Sequence, residues 1–247
     1  MNNKLISTGL IYGSMLLTPV IALANVVGLS LNPYGGIEFG TQKVGFKDGY
    51  GGNLFNKQLP KASLFAGIKF NDYFGIECGY ETTTKGITDK KIVYGDSYLG
   101  RPASSRYALL LDQDEYAFIK SKAKLSGWHL GITGSYKLFE KSNHNLQLIG
   151  YVGIKDTTVK LIARQYKFNH VNVIDDTFDD VFRKRKILAK FSVGLQYFPC
   201  KNFGIRTLAS WENTAGLNPT REGPRAPILQ AKLKNSVSYS IGVIFKK

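Results

Sequence analysis

The sequence has few cysteines and histidines and, beyond its first residues, no long apolar run. Its two cysteines, Cys78 and Cys200, are too few for a disulfide framework, and we expect both to be unpaired. The alternative is a single disulfide between them, formed in an oxidising compartment. No metal-ligand constellation, glycine-rich phosphate loop or cysteine-nucleophile motif is present, so we predict no metal and no cofactor. After residue 24 nothing approaches the about 20 apolar residues that a membrane helix needs. A disulfide-stapled domain and a bundle of membrane helices are therefore both excluded.

Acidic residues are also scarce, with 18 Asp and Glu against 33 Lys and Arg, which gives a net charge of +15. Such a surplus can indicate nucleic-acid binding, but no RNA-binding signature or zinc spacing accompanies it, and we predict no nucleic-acid partner. The basic residues concentrate between the predicted strands, as at 85–91 and 183–186. At an outer surface they would meet the phosphates of lipopolysaccharide or acidic host glycans. The alternative is that they are solvated loop charges of no particular purpose.

The first residues have the pattern of an export signal. Lys4 supplies a positive start, residues 10–23 are mostly apolar, and Pro19 precedes the small-residue site Ala22-Leu23-Ala24. We predict a signal peptide over 1–24 and one mature barrel domain over 25–247. A retained N-terminal membrane helix is the alternative, although polar residues and Pro19 interrupt the run.

The mature chain consists of short stretches that alternate apolar with small or polar residues. In residues 73–81, Ile76 and Tyr80 fall on one face of an extended strand, while Glu77 and Glu81 fall on the other. Eight such strands are predicted, at 33–44, 62–70, 73–81, 124–139, 146–154, 189–197, 203–212 and 237–245. An exported chain of this kind predicts an all-β fold, an eight-stranded antiparallel transmembrane β-barrel that is apolar outside and polar inside.

The predicted connections alternate strictly between short and long. Short turns fall at 71–72, 140–145 and 199–202, and long segments at 45–61, 82–123, 156–186 and 213–231. This alternation is typical of outer-membrane barrels, with short periplasmic turns, long extracellular loops and both termini in the periplasm. The apolar-rich run 107–111 in the second long segment favours contact with a partner over gating.

Aromatic residues flank the short turns and stand at the opposite strand ends, as in the girdles of membrane barrels. The alternative is that they are ordinary core residues of a soluble β-sandwich. The predicted girdle residues are Phe70, Tyr73, Phe74, Tyr80, Trp128, Phe139, Tyr197, Phe203, Trp211 and Phe245.

Three stretches carry a family resemblance: residues 34–40, the hairpin 70–80 and the aromatic-alternating strand 238–245. Through them the chain resembles the small eight-stranded outer-membrane barrels of the OmpA-like and opacity-protein type, a surface-antigen family of Gram-negative bacteria. The resemblance implies a non-enzymatic integral protein of the cell outer membrane whose loops contact host or envelope molecules. Its partners would be membrane lipids, lipopolysaccharide, the barrel-assembly machinery and host surface molecules. In one departure from such proteins, two lysines follow Phe245, which weakens the assembly signal.

Charged residues on the inward strand faces are predicted to pair, because the lumen of an eight-stranded barrel is too narrow for bulk water. These residues are Glu38, Lys69, Glu77, Lys137 and Arg206. We expect Arg206 to pair with Glu77 or Glu38, and Lys69 or Lys137 to neutralise the rest. The competing use of such charges is an ion pathway, so a narrow channel or transporter for small solutes is the second functional hypothesis.

Some barrels of this size are lipid-modifying enzymes, which is the third and least favoured hypothesis. Barrels that deacylate lipid A resemble serine hydrolases, with a serine two residues after a histidine. His129 is the histidine clearly within a predicted strand, but Gly131 occupies the place of that serine. We predict no catalytic residues.

Overall fold

The computed structural model describes residues 31–47, 50, 54–105, 109–141, 144–169, 174–222 and 229–247. The predicted signal peptide, 1–24, lies outside the described residues. No helix in the described part of the chain is long and apolar enough to cross a membrane.

About 77% of the described chain is β-strand, and every ladder is antiparallel. The strands are β1 Asn32–Phe46, β2 Gln58–Lys69, β3 Phe74–Thr83, β4 Gly86–Val93, β5 Ser97–Tyr98, β6 Arg101–Pro102, β7 Tyr116–Lys141, β8 His144–Phe168, β9 Ile174–Phe198, β10 Phe203–Glu212, β11 Thr220–Arg221 and β12 Leu233–Lys246. One 3-10 turn, Thr214–Gly216, follows β10.

Eight of these strands form a closed ring, in the order β1, β2, β3, β7, β8, β9, β10 and β12. The ring closes because β12 pairs with both β10 and β1, so that Phe245 lies between Phe203 and Gly35. Closure leaves no strand edge in the ring, which satisfies the backbone groups without water. The predicted eight-stranded antiparallel barrel is confirmed.

The barrel wall is apolar outside and polar inside. Ile132 and Val193 are 61% and 55% exposed on the outer face, whereas the inward-facing Glu77 is 2% exposed. An apolar outer surface has no place in water, so this is the wall of a transmembrane barrel.

Three neighbouring strands continue well past their predicted ends, and a fourth strand joins them. β7, β8 and β9 stay paired up to Tyr116, Phe168 and Ile174. β4 pairs with the part of β7 that lies beyond its ladder with β3. We call this part, made of 86–93, 116–126, 157–168 and 174–187, the distal extension. The prediction of long loops is therefore wrong for most of 156–186 and, within 82–123, for 86–93 and 116–123.

The physical reason is that the same strands continue while their apolar face changes from the outside of the barrel to the inside. On β7, Leu130 and Ile132 face outward within the apolar belt, but Lys124 also faces outward once the strand has left it. The inward positions change the opposite way, since Ile119 and Leu125 are buried. Alternation thus continues through the predicted loop with water outside and an apolar core inside.

That core fills the mouth of the barrel, and we call it the plug. It includes Leu59, Ile92, Tyr98, Leu109, Leu111, Ile119, Leu125, Leu161, Phe182 and Leu217. The prediction that 107–111 forms a contact surface is wrong for Leu109 and Leu111, which are buried in the plug, while Leu110 is exposed. A smaller cluster of Tyr34, Phe65, Phe198 and Ile244 lies inside the barrel at the short-turn end.

Candidate functional site

Between the plug and the short-turn cluster, the lumen holds two layers of buried charge. In the lower layer, nearer the short turns, Arg206 donates from Nη1 to Glu77 Oε2 at 2.6 Å and from Nη2 to Glu77 Oε1 at 2.9 Å. Its Nε lies 2.9 Å from Glu38 Oε1, an ion pair without hydrogen-bond geometry. The guanidinium also stacks over the Phe65 ring, 4.4 Å from its centroid. One cation thus serves two carboxylates.

The backbone register explains how Arg206 reaches both acids. Glu38 on β1 and Arg206 on β10 are both ladder partners of Gly242 on β12. A Cβ on Gly242 would lie 2.7 Å from Glu38 Cγ, so only glycine leaves room for the two charged side chains to meet. Glu77 Oε2 also accepts a hydrogen bond from Tyr34 Oη at 3.1 Å.

The upper layer lies just below the plug and was missed as a group by sequence reasoning. Lys155 Nζ lies 2.6 Å from Glu81 Oε2 and 2.8 Å from Glu212 Oε1, so it bridges the two acids. Lys61 and Lys190 also pair with Glu81. The predicted strands did place Glu81, Glu212 and Lys190 on inward faces, whereas Lys61 and Lys155 fell one residue beyond predicted strand ends.

The two layers contain equal numbers of acids and bases. The acids are Glu38, Glu77, Glu81 and Glu212, and the bases are Arg206, Lys61, Lys155 and Lys190. Each of these side chains is at most 4% exposed. Buried charges of both signs in equal number, each with a partner, are typical of a structural network.

Two of the predicted network members lie elsewhere. Lys69 donates hydrogen bonds to Ser135 Oγ and Gln147 Oε1 and has no acidic partner among the described residues. Lys137 stands at the rim, 36% exposed, and pairs with Asp72 at 3.0 Å and Glu140 at 3.2 Å. Their predicted role of neutralising the acids beside Arg206 is wrong, because the upper-layer lysines balance the charge instead.

The lumen has almost no free volume at these layers. A cavity beside Tyr34 and Arg206 measures about 10 Å³, which is room for one water molecule at most. The space between the layers, next to His129, has no room for water. Side chains therefore fill the interior, as expected for an eight-stranded barrel.

His129 belongs to this packed interior. Its ring is 4% exposed, and Nδ1 lies 3.2 Å from Tyr151 Oη. The two rings meet edge to face, with centroids 5.5 Å apart. Gly79 is the ladder partner of His129, and Gly131 follows two residues later on the same inward face, so no serine stands at either of these positions.

The plug contains its own polar cluster, outside the membrane-spanning part. Tyr98 Oη donates to Asp180 Oδ2 at 2.8 Å, Gln165 donates to both, and Arg221 pairs with Asp180. Burial raises the pKa of the Asp180 carboxyl above its usual range, against the opposing effect of these donors. Burial and the Asp180 carboxylate raise the pKa of Tyr98 well above its ordinary value.

The predicted girdle residues lie on the outer surface near the two ends of the apolar belt. At the short-turn end, Tyr73, Phe74, Phe139 and Phe245 are at least half exposed. At the opposite end, Trp128 packs against Tyr80 with ring centroids 5.0 Å apart, and Phe191 packs against Trp211 at 5.6 Å. The remaining members at the short-turn end are Phe70, Tyr197 and Phe203.

Both cysteines are free, as predicted from the sequence. Cys78 lies on the outer face of β3 between Ile76 and Tyr80, and Cys200 lies in the short turn between β9 and β10. They are on different parts of the barrel and cannot form a pair.

No protein-family model and no curated protein matches this sequence. Among solved structures, the chain is similar to Ail, the attachment invasion locus protein of Yersinia pestis, with 16% identity, 87% of this chain and 98% of that chain covered, and a TM-score of 0.41. Neisserial surface protein A gives 12% identity, coverage of 87% and 97%, and a TM-score of 0.45. The outer-membrane protease OmpT from Escherichia coli gives 12% identity, coverage of 88% and 96%, and a TM-score of 0.34. Similarities at this level do not identify a function, and the fold assignment rests on the strand pairing of the chain itself.

Proposed function

We propose that this chain is a non-enzymatic surface protein of the outer membrane. The barrel anchors it in the bilayer, and the distal extension stands outside the cell, where it contacts host or envelope molecules. Both termini and the short turns then face the periplasm. The filled lumen is the observation that carries this proposal, since it leaves the outer surface as the part that can meet other molecules.

The filled lumen also argues against the narrow channel. A solute would have to pass the plug, the two charge layers and the short-turn cluster. Opening such a path would separate ion pairs that have no solvent to replace their partners. The lipid-modifying enzyme gains no support from His129, because its ring is buried with Tyr151 and faces no substrate-sized space.

Membrane lipids follow as partners from the apolar belt, and the barrel-assembly machinery follows from the proposed location. Lipopolysaccharide and host surface molecules are proposed from the basic outer face of the distal extension. There, exposed Lys160, Arg183 and Arg185 face outward on two adjacent strands.

Planar-bilayer recording on the refolded chain tests the surface protein against the channel. We expect no steady unit conductance, whereas a wide-pore barrel in the same bilayer should conduct. Reproducible conductance steps from the refolded chain would refute the closed-barrel proposal. In parallel, bacteria that display the chain should bind host cells more than bacteria without it, and equal binding would remove the adhesive role.

A further inference from the structure

Three cations stand side by side on the outer face of the distal extension. Lys124 on β7 is the ladder partner of Lys160 on β8, and Lys160 is the ladder partner of Arg183 on β9. Directly opposed side chains of an antiparallel pair have Cβ atoms about 4.5–5.5 Å apart. We call these three residues the cation row.

The cation row has no compensating charge within the described part of the chain. No carboxylate there lies within ion-pair distance of its members, although other basic residues of the same face are paired. Arg164 pairs with Asp179 at 2.6 Å, and Arg185 pairs with Asp156. Like charges directly opposite each other destabilise a sheet. Repulsion within the row therefore destabilises the sheet, and a bound external anion would remove this repulsion.

The height of the row on the barrel wall indicates where that anion comes from. The girdle pair Tyr80 and Trp128 marks the end of the apolar belt, and aromatic girdles lie at the level of the lipid headgroups. Lys124 precedes Trp128 by four residues, which on a strand tilted by about 40° is roughly 10 Å further from the membrane centre. At that height the row is beside the polar part of the lipid layer and well below the tip of the extension.

We propose that the cation row binds the phosphate groups of an anionic lipid in the leaflet next to the distal extension. Lys and Arg are the side chains that bind phosphate, Lys as a point charge and Arg through its planar fork. The inference rests on the proposed membrane location. It adds a specific lipid site that uses the outside of the barrel wall.

The test measures equilibrium unfolding of the refolded chain in phosphatidylcholine vesicles, with and without lipid A. One variant carries Lys124→Gln, Lys160→Gln and Arg183→Gln. A matched control carries Lys57→Gln, Lys201→Gln and Lys234→Gln, which removes the same charge from other exposed positions. Lipid A stripped of its phosphates serves as the second lipid.

We expect lipid A to lower the unfolding equilibrium constant of the native chain and of the control variant. In the cation-row variant, the factor by which lipid A lowers the unfolding equilibrium constant should be about a hundredfold smaller, since each cation near an anionic surface contributes roughly a fivefold factor. In phosphatidylcholine alone, the cation-row variant should be more stable than the native chain, because the repulsion among the three cations is gone. A variant that is less stable there, or that fails to fold, contradicts the proposal.

The lipid source has its own control. If phosphate-free lipid A stabilises the native chain as much as lipid A does, or if inorganic phosphate added to phosphatidylcholine vesicles gives the same shift, binding of lipid phosphate is wrong. Failure of the native chain to insert into vesicles would refute the proposed location. Insertion without a lipid A effect would refute the cation row alone.

Discussion

Removal of the Arg206 charge is the sharpest test of the closed barrel. Arg206→Met keeps most of the side-chain volume but leaves Glu77 and Glu38 in the lumen without the cation that both contact. The nearby cavity of about 10 Å³ cannot admit enough water to solvate two carboxylates. We therefore expect a large loss of stability from this single change.

The magnitude follows from the burial of the pair. Loss of one partner of a buried ion pair costs about 3–5 kcal/mol, because the other charge stays buried and uncompensated. With two carboxylates left behind, Arg206→Met should lie at the upper end of that range. The triple variant Arg206→Met, Glu38→Gln, Glu77→Gln removes all three charges, and replacement of a whole buried network can be nearly neutral. It should recover most of the loss.

Urea unfolding of the refolded barrel in vesicles, followed by tryptophan fluorescence, measures both effects. Lys137→Met is the control, because this lysine pairs at the exposed rim and should cost about 1 kcal/mol or less. Equal losses in the single and triple Arg206 variants would show that buried charge is not the cause. An altered ion selectivity of Arg206→Met without loss of stability would refute the closed lumen altogether.

Three further predictions concern the wall, the plug and the topology. Ile132→Arg in the apolar belt should destabilise the barrel by about 2–4 kcal/mol in the same urea assay. The control Ile87→Arg, on the outer face of the distal extension, should be nearly neutral. Equal losses of stability in the two variants would contradict the assigned position of the belt. Burial raises the pKa of Asp180 in the folded state, so its protonated carboxyl contributes fully to the free energy of unfolding below the unfolded-state pKa of about 3.9, and this contribution is lost as the pH rises through the raised value. Hydrogen exchange of the plug should therefore show stability that falls with rising pH, and Asp180→Asn should remove this pH dependence. A membrane-impermeant maleimide should label Cys200 only after the outer membrane is breached and should not reach Cys78 in the apolar belt; labelling of Cys200 on intact cells would reverse the topology.

The sequence predicts the barrel well because each strand within the belt meets two fixed environments. Strand β10 begins and ends at the predicted residues, and the outward positions of β3 and β7 are those predicted from alternation. Glu38, Glu77 and Arg206 could be placed on the inward face by the same period of two. Their meeting at one level could be estimated from distances to the short turns, but the role of Gly242 depends on the register of β12, which the sequence alone does not give.

The distal extension could not be predicted by a search for apolar-out strands. Residues 117–125 also alternate, but here Ala117, Ile119, Ala123 and Leu125 face inward and three lysines face outward; Phe118, which is exposed, and Ser121, which is buried, are the exceptions. A search for alternation of either polarity would have found the extension of β7. The upper charge layer was missed for the same reason, because Lys155 and Lys61 lie where the two polarities meet and fell just outside the predicted strands.

The exchange of polarity along continuous strands also bears on how the ladders find their alignment. If β8 slipped by one residue, each of its side chains would face the opposite side of the wall. Lys155 would then face the hydrocarbon of the bilayer, Val152 the charged lumen and Leu161 water. One displacement is thus penalised in three environments at once, and an error at either end of the strand is opposed from the other end. Misregistered pairing of the long β8–β9 hairpin is therefore energetically disfavoured along its whole length, which favours a single register as the barrel forms.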